Sequence, residues 1–143
     1  MVSHMRQELI FIPAVALVAL TLCVWILLYT RRIGAMRSHR VNPEKFKTRS
    51  TRVPLEEAAS ASDNFQNLLE LPLLFYVLVL ALHATQRVDG VYLALAWGFV
   101  ALRAVHSFVH VTYNRVMHRF VVYIAGGVLL FAAWARFGWS LVA

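Results

Sequence analysis

The stretch VYLALAWGFVALRAVHSFVHV, Val91 to Val111, decides how the rest of the chain is read. A helix of this length, at about 1.5 Å per residue, crosses the roughly 30 Å apolar core of a bilayer. Yet Arg103, His106 and His110 stand inside it at i, i+3 and i+7, and Tyr113 continues the row at i+10. That spacing predicts one helical face. A charged side chain at mid-span costs roughly 2.5–3.5 kcal/mol on insertion scales. The row is therefore expected to face protein or a wet cavity, not lipid.

Three more apolar blocks flank this one. Leu9 to Tyr29 has Thr21 as its only clearly polar side chain, and Leu71 to Leu82 extends back through a mixed stretch to Asn64. Phe120 to Trp134 runs on to Trp139, with Arg136 near its end. The 143 residues are 60% hydrophobic, against about 45–50% in soluble domains. The expectation is one all-α domain: an integral membrane four-helix bundle with spans near 9–29, 64–84, 91–111 and 120–138 and a cytoplasmic loop over 31–62. The first block outruns the roughly 7–15 apolar residues of a signal core and has no small-x-small site before Arg31, so it reads as a span. Cys23 is the single cysteine, which excludes a disulfide framework within the chain.

The net charge of +7 is unevenly spread. Arg31, Arg32, Arg37, Arg40, Lys45, Lys47, Arg49 and Arg52 fill the first loop, and Arg115 and Arg119 follow the third span. The positive-inside bias places both loops in the cytoplasm and both termini on the other side. Such residues hold orientation and meet anionic lipid. The basic loop has no aromatic residue besides Phe46, so nucleic acid is not an expected partner. The expected location is a bacterial inner membrane, with a multi-pass topology. Trp25, Tyr29, Tyr92, Trp134 and Trp139 mark plausible interface borders.

The second helix starts near Leu55, after Pro54, or is capped at Ser62 and Asp63. Pro72 should kink it. It carries Asn64, Asn67 and Glu70 at i, i+3 and i+6, a second polar row. This helix leaves the cytoplasm where the third span returns to it, so both rows lie in the same half of the bilayer. Two readings follow. In one, Glu70 pairs with Arg103 and the amides bridge helices. In the other, the rows line a wet cationic pocket for a small anion, with Arg115 and Arg119 at its mouth. The HxxxH pair His106 and His110 has metal-ligand spacing, but a third ligand would have to be Glu70 or Tyr113, and no metal is expected.

RAVHSFVH, the later Arg119, NPE at Asn42 to Glu44, and DNFQNLLELP together resemble the MAPEG family, the membrane-associated proteins of eicosanoid and glutathione metabolism. The likeness runs from the end of the first span to the end of the fourth. It implies a homotrimer of four-helix subunits that binds glutathione between neighbours on the cytoplasmic side. The prostaglandin E synthase pattern of that family is R-x-x-H-x-x-x-Y with an arginine sixteen residues after the first. Arg103, His106 and Arg119 match it, His110 stands in the tyrosine place, and Tyr113 lies one turn on. The second-helix signature N-x-x-E is matched at Asn64, but Asn67 replaces the acid, Glu70 follows three residues later, and AASD stands where an arginine usually precedes the asparagine. NPED has become NPEK, with Lys45 in the acid's place.

The resemblance implies a glutathione-dependent transferase or peroxidase for lipophilic electrophiles. Arg119, with Arg115 behind it, would hold the thiolate. Asn64, Asn67, Glu70, Arg103, His106, His110 and Tyr113 would hold the rest of the tripeptide. The alternative is a non-catalytic protein of the same fold, an assembly partner or lipid-binding trimer, which the altered N-x-x-E region favours.

Overall fold

A computed structural model describes residues 6–38 and 56–143 of the chain. The NPEK motif, Asn42 to Lys45, lies outside the described residues, as does Leu55. A 3₁₀ turn at Gln7–Ile10 leads into α1, Phe11–Ser38; then come α2, Glu56–Asn67, α3, Leu71–Ala84, α4, Gly90–Val111, and α5, Val116–Val142. α1 runs on past Tyr29, so Arg31, Arg32 and Arg37 ride on its last turns. Four helical stretches are long and apolar enough to cross a bilayer: Gln7–Ser38, Ala59–Ala84, Gly90–Val111 and Val116–Val142. Most of each apolar window faces outward, as it must where lipid is the solvent. The chain is an all-α integral membrane bundle.

The second span breaks in two, and Pro72 is the cause. Its ring displaces the carbonyl four residues back and supplies no N–H in return. The chain accordingly turns over Leu68–Glu70 and resumes as α3 with Pro72 in its first turn. The 14 residues of α3 measure only about 21 Å. The last turns of α2 must therefore lie below the membrane surface to complete the crossing. This carries Asn64 and Asn67 into the bilayer.

α4 is the central element. It packs on α5, α1 and α2, while α3 packs on α1 and α5. The core holds Leu17, Leu68, Leu82 and Leu130 in full burial and a stacked Phe75–Phe99 pair at 5.0 Å between ring centroids. Close approach of α4 and α5 depends on Gly98, where an added Cβ would stand 2.9 Å from Leu129 Cδ1, and on Gly126.

The end of the bundle where α1 begins and α5 finishes is tied by polar contacts. Asp89 caps α4, accepting from the Val91 and Tyr92 amides at 3.0 Å each. The same carboxylate takes two bonds from Arg136, at 2.6 and 3.1 Å. The Arg136 guanidinium lies 4.1 Å from the Tyr92 ring centre. Gln7 bonds both backbone groups of Val88, and Arg87 donates to the Ser140 carbonyl. Burial pushes the Asp89 pKa up, but the Arg136 bonds and the two amides outweigh it and hold the carboxyl below its ordinary range.

Candidate functional site

The opposite half of the bundle gathers the polar side chains. Arg103 is fully buried on α4, about 12 Å from that helix's end. Among the described residues only its Nη2 finds an acceptor, the Tyr123 carbonyl at 3.2 Å. The guanidinium rests over the Phe99 and Tyr123 rings, at 5.3 and 4.6 Å, a cation–π setting that offsets part of its desolvation. It fits because residue 126 is glycine: a Cβ there would stand 3.0 Å from Nη2. Nε and Nη1 have no hydrogen-bond partner among the described residues. The expected Glu70–Arg103 pair does not form. Glu70 falls in the break ahead of α3, exposed, and acts on Arg103 only as a charge at a distance.

One turn on, His106 is buried, and its Nδ1 meets the Arg119 carbonyl at 3.2 Å. A carbonyl only accepts, so Nδ1 carries the proton. In the neutral ring Nε2 then keeps a bare lone pair, and it is buried without a partner. Ser107 donates to Asn64 Oδ1 at 3.1 Å, joining α4 to α2. This fixes which way the Asn64 amide points and leaves its Nδ2 buried and unpartnered. His110 packs edge-on to His106, with centroids 5.6 Å apart.

Arg119 comes from the first turn of α5. Its Nη1 reaches His110 Nε2 at 3.2 Å and donates to Asn114 Oδ1 at 2.6 Å. A guanidinium only donates, so the ring nitrogen it bonds is the unprotonated one. The α4 terminus is closed from two other helices: Ser60 on α2 donates to the His110 carbonyl at 2.9 Å, and Arg31 on α1 to the Val111 carbonyl at 3.0 Å.

Asn64, Arg103, His106, His110 and Arg119 thus come together between α2, α4 and α5. Asn67 is half-buried at the end of α2. Tyr113 and Arg115 stand apart. α4 ends at Val111, so Tyr113 leaves the helical face that its spacing predicted and meets His118 in the exposed turn, at 3.2 Å. Arg115 is the exposed residue ahead of α5. Sequence reading missed Ser107, Ser60, Tyr123 and Asn114. Helical spacing marks three of them: Ser60 lies four residues before Asn64, Ser107 lies four after Arg103, and Tyr123 lies four after Arg119. Asp63, the residue before Asn64, is an acid whose charge reaches His110. Among the described residues, no three His, Cys, Asp or Glu side chains are close enough to hold a metal.

Four atoms of this group have no partner among the described residues (Asn64 Nδ2, Arg103 Nε and Nη1, His106 Nε2), and three of them are donors. An unmatched buried polar group costs about 1–3 kcal/mol, so the cluster suits a ligand rich in carboxylate or carbonyl oxygen. On the other side of α2, a groove of about 390 Å³ opens between Trp25, Leu22, Phe65, Leu69 and Tyr76. No curated protein and no solved structure matches the chain. The family model of the MAPEG family matches residues 10–139, nearly its whole length. With four membrane-crossing stretches and an arginine–histidine row sealed inside them, the chain belongs to the MAPEG family.

Proposed function

We propose that the protein is a glutathione-dependent membrane transferase or peroxidase acting on lipophilic electrophiles. The observation that carries this reading is the set of buried donors on Arg103 and Asn64, unpartnered among the described residues, in the same half of the bundle as the Arg119 guanidinium. Glutathione would supply a thiol as the nucleophile. A free thiol titrates near pH 8.5. Lowering that by two units takes about 2.7 kcal/mol. A guanidinium about 4 Å away contributes about 4 kcal/mol at an effective dielectric near 20, so one arginine suffices. Arg119 takes that role and Arg115 is the nearest second cation in sequence.

Arg103 and Asn64 donate to carboxylate and peptide oxygens. His106, with its lone pair on Nε2, accepts from a peptide N–H or the thiol. His110 steers Arg119. The acid for the tripeptide's amino group is Glu70 on the Arg103 side or Asp63 on the His110 side; Asn67 adds an amide and Tyr113 a hydroxyl at the mouth. In this reading the subunits form a homotrimer, neighbours complete the site, both termini lie outside the cytoplasm, and the host membrane is a bacterial inner membrane. The second substrate arrives laterally from the bilayer, and the groove beside Phe65 suits such a molecule.

A second reading, a non-catalytic trimer that assembles with other proteins or holds lipid, is favoured by Asn67 in the place of the family's acid. Thermal unfolding in detergent separates them. Glutathione should raise the wild-type Tm by several degrees, and Arg119→Ala should lose that shift. Protection without turnover of any electrophile or lipid hydroperoxide supports the second reading. No protection of the wild type defeats the first.

A further inference from the structure

We propose that Asn114 is a positioning residue that fixes the guanidinium of Arg119 toward the ligand; the inference rests on the glutathione reading above. Arg119 is held at three points. Its carbonyl oxygen accepts from His106, and its Nη1 contacts the His110 ring and donates to Asn114. The Asn114 bond, at 2.6 Å, is the shortest of the three.

The turn between α4 and α5 is built to present that amide. Asn114 adopts φ 49°, left-handed backbone that asparagine tolerates better than most residues. Its N–H donates to the Val109 carbonyl at 2.9 Å, closing the helix end. The backbone is therefore set before the side chain acts, and the carboxamide oxygen is aimed at residue 119 from outside both helices. Without it, the remaining side-chain contact of the guanidinium among the described residues is a neutral imidazole. A long side chain half-exposed at the rim then regains rotamers, and a misplacement near 1 Å is enough to cost catalysis heavily.

Asn114→Gly tests this, because glycine keeps the positive φ and removes only the acceptor. In ligand-free wild type in nanodiscs, the side-chain nitrogen resonances of Arg119 should show hindered rotation about Nε–Cζ; in Asn114→Gly they should average. With glutathione and an electrophile, kcat should fall about tenfold while the glutathione KM moves by less than about twofold. Asn114→Asp, which returns an acceptor to the same place, should restore the hindered signal and bring kcat back toward wild type. An Asn114→Gly protein with hindered rotation and wild-type kcat overturns the inference alone. So does one in which kcat and Tm fall together and Asn114→Asp rescues neither. A wild type that binds no glutathione overturns the functional reading, and the measurement on ligand-free protein still decides the clamp.

Discussion

Arg103 is the residue on which the site's energetics turn. It is a fully buried guanidinium with two unpartnered nitrogens, and an ion in that state is tolerated only with a partner or a function. Gly126 makes its position possible. Gly126→Ala forces Nη2 away from a Cβ at 3.0 Å, at about 1–3 kcal/mol of overpacking. We expect glutathione affinity to fall about tenfold by calorimetry, the effect of about 1.4 kcal/mol. Gly138→Ala, whose Cβ meets nothing within 4 Å, should bind as wild type does. Asp89 governs the other end. Its carboxyl titrates below the usual range, so its contribution is complete above the unfolded pKa near 3.9 and disappears as pH falls through the lower folded value. Asp89→Asn should lower stability at neutral pH by at most about 1 kcal/mol, the scale of a half-exposed pair. It should also reduce the acid-dependent loss in thermal unfolding curves by the share that Asp89 contributes.

At the level of elements, what was legible in the sequence ended where the helices ended. Arg103, His106 and His110 obey helical spacing because α4 is continuous through all three, and the structure keeps them on its inner face. Tyr113 extrapolates the same period past Val111, where no helix remains to enforce it. Glu70 fails the same test on α2: the break over Leu68–Glu70 turns it outward. Pro72 announced that break, but the direction in which residues before it would swing is a tertiary outcome, not a local one. The Asn64–Ser107 bond was equally out of reach, since it depends on the register of α2 against α4. Spacing within one helix reads directly; register between helices does not.

For the whole molecule, the apolar blocks were enough to show four membrane-crossing stretches, because bilayer thickness leaves few alternatives. Assembly was not so readable. Oligomeric contact between membrane helices rests on small residues and shape more than on apolar character, and the exposed faces of all four spans are apolar alike. The proposed homotrimer is checked by native mass spectrometry in detergent. A complex of three 16.3 kDa chains is expected, and a population of single chains that still binds glutathione would contradict the shared site.

The two bonds that finish α4, from Ser60 to the His110 carbonyl and from Arg31 to the Val111 carbonyl, have a consequence for dissection of the protein. The N-terminal span is no detachable anchor. Cutting it away would remove the Arg31 donor and leave the Val111 carbonyl bare beside the polar row, and the histidine pair would fray from its open end. A three-span remnant could still insert in a bilayer and yet be an empty frame.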